Sequence, residues 1–216
     1  MIEISEIIEH EFPQRSDEWF KCREGKLTGS HFAEIMPSKT DMKKGVFSNW
    51  TQAQEKVIYR IAAEILTGES DRNFYVSDAM AWGTEHEEDA RQAVELELMI
   101  TSRECGIFQR GQYIASSPDA VMGDNGLILE LKCPSSAVHL KYLKNPASLW
   151  DDYKWQVLGE MFCTGLDAGY IASYDPRFKE ESKRLLIHEP VDYADDLKRL
   201  EDRLGEVELK IEEFIK

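Results

Sequence analysis

The spacing of hydrophobic positions changes along the chain, and the changes mark its elements. From Asn49 to Leu66, Val57, Ile58, Ile61, Ala62 and Ile65 recur at helical spacing, and Thr67-Gly68 supplies a stop. Further helices are expected from about Ala79 to Glu97 with Asp78 as cap, from Ser148 to Thr164, and from Ala194 to Lys216. The last carries Leu197, Leu200, Leu204, Val207, Ile211 and Ile215 on one stripe. Shorter helices are expected from Ser16-Asp17-Glu18 to Gly25, from a cap at Thr28 or Ser30 to about Met36, and from Ser135-Ser136 to about Leu143. Ile4 to His10 reads as a short helix or irregular start. Cys105 to Ile114, Ala168 to Tyr174 and Arg184 to Glu189 read as strands, whereas Ser38 to Ser48 and residues 69–77 read as loops. No repeat, linker or low-complexity segment divides the chain, so residues 1–216 are expected to form a single α/β domain.

One stretch has the period of a strand and polar residues where a core would be expected. Ile114 to Met122 and Leu127 to Cys133 flank Gly123-Asp124-Asn125-Gly126, which suits a hairpin turn needing positive φ. With Asp124-Asn125 as the loop, Gly123 faces Gly126 and Asp119 faces Glu130. Lys132 shares the face of Glu130, and Ser117 stands opposite Lys132. Leu127, Leu129, Leu131, Ala120 and Met122 point the other way, into a core. Directly opposed side chains lie about 5 Å apart, so two carboxylates there repel. Mg²⁺ would offset the repulsion, because it takes carboxylate oxygens, polarises a phosphodiester and activates a bound water. Lys132 could then orient that water or stabilise developing charge. A solvated surface hairpin would carry the same three residues with no metal.

Composition narrows these alternatives. A net charge of −15 argues against a simple basic DNA-binding protein. Acid concentrates in Glu85 to Glu97 and Glu189 to Glu213; base recurs at Arg15 to Lys26, Lys39 to Lys44, Arg103 to Arg110, Lys141 to Lys154 and Arg177 to Arg184. A ring or cleft could gather the basic segments inward; an acidic enzyme with a small substrate is the other reading. No apolar run approaches the roughly 20 residues of a membrane span, and Met1 to Glu11 lacks the pattern of a signal peptide. Cys22, Cys105, Cys133 and Cys163 are scattered, which suits a reducing cytoplasm. Near Arg23, the helix start with Thr28 and Ser30 could bind an anion or simply be capped.

Pro118-Asp119 followed by Glu130-Leu131-Lys132 resembles the PD-(D/E)xK nuclease motif. With Trp19, Arg23-Glu24-Gly25, Thr28-Gly29-Ser30, Ala81-Trp82-Gly83, Glu87, Asp89-Ala90-Arg91, Ser116-Ser117, Cys133-Pro134, Gln156 and Tyr174-Asp175-Pro176-Arg177, the chain resembles the lambda exonuclease and YqaJ-like viral recombinase family. The blocks keep the family's order over roughly residues 16 to 180.

The resemblance implies a restriction-endonuclease-like core, a mixed twisted central β-sheet flanked by helices. It implies a Mg²⁺-dependent 5′→3′ exonuclease that degrades one strand of duplex DNA from its ends during phage recombination by single-strand annealing. A structure-specific or restriction-like endonuclease on the same core, or a non-catalytic DNA-binding or assembly protein of nuclease fold, is the alternative. One or two Mg²⁺ ions, with Mn²⁺ able to substitute, would be held by Asp119, Glu130, the Leu131 carbonyl and Glu87, which is selected by its spacing from Gly83. Lys132 and Gln156 would serve the reaction; of the family's Gln-x-Gln pair only Gln156 is kept, with Leu158 in the second place. Arg23, Thr28, Ser30 and Ser117 would hold the 5′ phosphate of the DNA end. The family's basic residue after Pro134 is missing from Ala137-Val138-His139, so either His139 substitutes or the pocket relies on Arg23, Ser30 and Ser117. The implied partners are duplex DNA ends, two further copies in a homotrimeric ring and a phage single-strand annealing protein, with no membrane, in the cytoplasm of a bacterial host.

Overall fold

The computed structural model describes residues 6–38, 50–70, 77–124 and 126–216. In chain order these form β1 (Ile7–His10), α1 (Asp17–Arg23), β2 (Leu27–Thr28), α2 (Phe32–Ile35), α3 (Gln52–Thr67), α4 (Asp78–Leu98), β3 (Ser102–Arg103), β4 (Ile107–Arg110), β5 (Ile114–Ser116), β6 (Ala120–Met122), β7 (Leu127–Lys132), α5 (Ser136–Lys144), α6 (Ala147–Thr164), β8 (Gly169–Tyr174), β9 (Leu185–His188) and α7 (Ala194–Ile215). The fold is mixed α/β. Its strands make two sheets, ordered β1-β4-β5-β2 and β3-β6-β7-β8-β9, where one central sheet was expected. Each sheet holds one parallel pair, β2–β5 in the first and β7–β8 in the second.

The division falls at Ser117-Pro118-Asp119. The expected single arm Ile114 to Met122 is broken there into β5, in the first sheet, and β6, in the second. Pro118 has no N–H for a ladder, so a strand cannot run through it unbroken. Cys105 to Ile114 is likewise broken, with Gly111 at φ 90° between β4 and β5. The hairpin itself has the expected register: Ala120 pairs with Leu129, Val121 with Ile128 and Met122 with Leu127, and the Gly126 N–H donates to Gly123 at 3.3 Å. The left-handed backbone falls on Gly123 and Gly126, at φ 63° and 69°. Asn125 lies outside the described residues, as do Lys39, Lys43, Lys44 and residues 71–76 of the expected loops.

At the N-terminus a strand replaces the expected helix. Ile7 to His10 pair antiparallel with Arg110 to Ile107. The free edge of β4 and the β-branched Ile7 and Ile8 outweigh a weak amphipathic pattern. The segment after β2 also differs: Gly29–His31 is a 3₁₀ turn leading into α2, and Thr28 makes no side-chain cap. Its hydroxyl accepts from Arg23 Nη2 instead, at 3.0 Å. Ser77, not Asp78, caps α4, accepting from the Met80 N–H at 3.2 Å. Thr51 and Gln54 form a reciprocal capping box that opens α3.

The larger core surrounds α6, whose Leu149, Val157, Leu158, Met161 and Cys163 are fully or almost fully buried. α7 packs Leu200, Leu204, Val207 and Ile211 onto it. A Cβ on Gly159 would lie 1.9 Å from the Phe32 ring, so glycine is what lets α2 seat against α6. A second core lies on the reverse face of the hairpin, where Ala120, Met122, Leu129 and Leu131 pack on Ala90 and Val94 of α4. The hairpin is thus covered on one face by α4 and turns the other toward α6. No helix among the described residues is long and apolar enough to cross a membrane.

Candidate active site

On the α6 side of the hairpin, charged groups meet in the protein interior. Glu130 is 2% exposed. Lys132 Nζ donates to Glu130 Oε1 at 2.5 Å and lies 4.6 Å above the Tyr153 ring. Gln156, one turn along α6 from Tyr153, joins both. Its Oε1 accepts from Lys132 at 3.1 Å, and its Nε2 donates to Glu130 Oε1 at 2.6 Å. Nε2 also donates to Glu160 Oε1 at 3.1 Å. Asp119 stands beside Glu130 at the end of β6, its Oδ2 accepting from the Leu131 N–H at 2.6 Å.

The site carries excess negative charge. Burial pushes the Asp119 carboxyl well above the usual carboxylate range, and the charges of Glu130 and Glu87 push it further. Burial alone would lower the Lys132 ammonium, but Glu130 and Asp119 more than reverse that and hold it raised. Glu160 is fully buried; desolvation, then Glu130 and Asp119, drives its carboxyl well above the usual range. Glu130 Oε2 and Glu160 Oε2 receive no N–H or O–H from other described groups. Gln156 Nε2, which donates to Oε1 of each, bridges the two carboxyls. Sequence reasoning missed Glu160. Its one signal was its place four residues after Gln156, on the same helix face.

Of the acidic cluster on α4, Glu87 is the carboxylate whose charge bears on Asp119. Glu85 is exposed, and Glu88 is held by Arg91 at 2.6 Å and by Gln92. Glu87 pairs with Arg15, which the sequence reading did not single out. This donor set fits a hard divalent cation: opposed carboxylates, a buried Glu130 oxygen without a donor, and one ammonium among several acids. As they stand, no three such groups among the described residues converge on one point. Lys132, Gln156, the Leu131 N–H and Arg15 hold the oxygens instead.

The residues expected to hold a phosphate fall into two groups. Arg23 lies 4.2 Å above the Trp19 ring and reaches Thr28, which is buried. The Trp19 indole N–H donates to Ser117 Oγ at 2.9 Å, and Ser117 in turn donates to the Gly106 carbonyl. Arg23, Thr28 and Ser117 are therefore gathered around Trp19. Ser117 does not stand in a ladder opposite Lys132, because the chain leaves the second sheet at Pro118. Ser30 is exposed on the 3₁₀ turn, and the neighbouring Gly29 packs against α6. A Cβ there would come within 3.5 Å of Glu160 and 3.9 Å of Gln156. The turn thus abuts the carboxylate cluster.

His139 belongs to neither group. It is fully buried, its Nδ1 is 2.7 Å from Ser173 Oγ, and its Nε2 is 2.8 Å from the Lys183 carbonyl. A carbonyl only accepts, so Nε2 carries the proton and Nδ1 accepts from the serine. With one nitrogen tying α5 to β8 and the other to the 3₁₀ turn before β9, His139 is a core residue with no free ring nitrogen for the pocket.

Residues 18–167 match the model of the YqaJ-like viral recombinase domain. The chain belongs to the YqaJ-like viral recombinase family. Among solved structures, this YqaJ-like chain is similar to the alkaline exonuclease LHK-Exo of Laribacter hongkongensis. Identity is 26% and TM-score 0.71, covering 91% of this chain and 95% of that one. LHK-Exo in complex with dAMP matches over the same shares at 26% identity and TM-score 0.69. A phage-related exonuclease from Haemophilus somnus 129PT shares the fold at 16% identity and TM-score 0.64, over 88% of this chain and 95% of that one. No curated protein matches the YqaJ-like chain by sequence.

Proposed function

We propose that the chain is a Mg²⁺-dependent exonuclease that removes nucleotides 5′→3′ from one strand at duplex DNA ends. The observation that carries this reading is the cluster in which Glu130, Lys132 and Gln156 are mutually hydrogen-bonded beside Asp119. The fold's likeness to an alkaline exonuclease, and to its complex with dAMP, supports a nucleic-acid substrate.

Asp119, Glu130, Glu87 and the Leu131 carbonyl would hold one or two Mg²⁺ ions, with Mn²⁺ able to replace them. Such an ion, when bound, polarises the phosphodiester and lowers the pKa of a coordinated water. Lys132 supplies a positive charge for the oxygens of the phosphate as charge develops there. Gln156 has both an acceptor and a donor at the same place, so it can orient a water. Arg23, with Thr28 and Ser117 near it and Ser30 on the turn that abuts the cluster, receives the terminal 5′ phosphate and sets the next bond over the carboxylates.

A net charge of −15 makes weak electrostatic retention on DNA the expected behaviour of one copy. A homotrimeric ring that encloses the duplex would retain it by topology. The resected strand would pass to a phage single-strand annealing protein in the host cytoplasm, and the activity belongs to homologous recombination. The test compares a linear duplex with a covalently closed circle of the same sequence, each with Mg²⁺ or EDTA. Only the linear duplex with Mg²⁺ should lose nucleotides. Cleavage of the circle would identify an endonuclease instead.

A further inference from the structure

Arg15 stands in the left-handed backbone region, at φ 67°, where glycine or asparagine is usual and a long side chain is strained. The turn around it is held firmly. The Ser16 N–H donates to Pro13 at 3.1 Å, and Ser16 Oγ caps α1. Gln14 Nε2 donates to the Pro118 carbonyl at 2.8 Å and to that of Cys105 at 3.1 Å. Arg15 is thereby anchored one residue from a contact to the neighbour of Asp119. From there its guanidinium reaches α4 and pairs with Glu87, while 46% of the side chain stays exposed.

An exposed ion pair contributes too little to explain a strained backbone held in place by four hydrogen bonds. The position of the pair explains more. Glu87 is the α4 carboxylate whose charge bears on Asp119, and a cation at the cluster that took it as a ligand would have to displace Arg15. A guanidinium released there would sit at the mouth of the cluster. Its planar fork suits a phosphate better than an ammonium would.

We propose that Arg15 exchanges partners, neutralising Glu87 in the metal-free protein and moving to a phosphate of the bound DNA when a divalent cation takes Glu87. This rests on the metal-dependent nuclease reading above, and it assigns Arg15 a substrate contact that is made only in the metal-loaded state.

Duplex binding measured against salt concentration, in EDTA and in Ca²⁺, tests the exchange in wild type, Arg15→Gly and Arg15→Asn. Glycine and asparagine both accept the left-handed backbone, so the turn is kept. Each phosphate contact adds roughly one unit to the slope of log affinity against log salt. In Ca²⁺ both variants should show a slope smaller by about one unit; in EDTA all three slopes should coincide. Titrated without DNA, Ca²⁺ should bind the variants about two- to fivefold more tightly, because the competing guanidinium is gone. Unchanged slopes in Ca²⁺, or weaker Ca²⁺ binding by both variants, would overturn the exchange. Failure of the metal reading itself looks different: wild type would then show no saturable Ca²⁺ binding, and Arg15 would be a surface ion pair.

Discussion

The Gln156 amide donates to Glu130 Oε1 at 2.6 Å. That bond fixes which way the amide faces, because its Oε1 must then accept from Lys132, at 3.1 Å. One side chain from α6 is thus locked to both charged residues of β7. Gln156→Leu removes this lock while keeping a similar volume. Turnover should fall by roughly tenfold or more, the order seen when a positioned polar group is lost from an active site. The apparent Mg²⁺ requirement should move little. The check is kcat against Mg²⁺ concentration for both proteins; an unchanged kcat would remove Gln156 from the reaction.

Asp119 and Glu160 give the metal-free protein a defined pH dependence. Both carboxyls are raised in the fold, by burial first and by neighbouring carboxylates second. A raised carboxyl binds more protons folded than unfolded, so stability is greatest near the unfolded carboxylate pKa, about 4, and falls as pH rises through the folded value. In EDTA, Asp119→Asn and Glu160→Gln should each melt higher than wild type at pH 8, and the gap should narrow toward pH 5. Melting curves across this range decide it. A gap that widened toward acid pH would show that these carboxyls are depressed in the fold.

Lys132 is the counter-charge of a carboxylate that is 2% exposed. Removing one partner of a buried pair leaves an uncompensated charge, at a cost of roughly 3 kcal/mol or more. Lys132→Met should therefore lower the melting temperature in EDTA, and Mg²⁺ should recover part of the loss. Activity should stay low at saturating Mg²⁺, because the metal restores charge balance but not the ammonium. Full activity at high Mg²⁺ would limit Lys132 to a structural role.

Arg23 stacks on Trp19, which also donates to Ser117. A duplex with a 5′ phosphate should be degraded faster than one with a 5′ hydroxyl, and Arg23→Ala should shrink the difference. Because His139 is buried in the core, the preference is expected to rest on Arg23 and its neighbours alone. Paired time courses on the two duplexes give the answer. Equal initiation by wild type on both ends would dismiss the phosphate anchor.

Much of the site was legible because it lies on one hairpin. Gly123 and Gly126 bracket the turn, the apolar alternation sets the register, and together they place Asp119 beside Glu130. What the sequence concealed depends on tertiary contacts. The change of sheet at Pro118 reflects where β5 and β6 find partners, so Ser117 faces Trp19 and Gly106 rather than Lys132. His139 looked like a pocket residue until Ser173 and Lys183, far along the chain, occupied its ring. Glu160 was visible only as one more acid, since helix phase shows a shared face with Gln156 but not which face is buried. Arg15 had no local signal, because its partner lies 72 residues away.

The most direct measurement follows a linear duplex labelled at the 5′ end of each strand in one sample and at the 3′ end in another, with Mg²⁺ or with EDTA. With Mg²⁺, the 5′ label should appear first, as mononucleotide, while the 3′ label stays in long product until a strand is nearly consumed. EDTA should abolish both. Early release of the 3′ label, internal fragments from either sample, or equal digestion in EDTA would contradict a metal-dependent 5′→3′ exonuclease built on Asp119, Glu130 and Lys132.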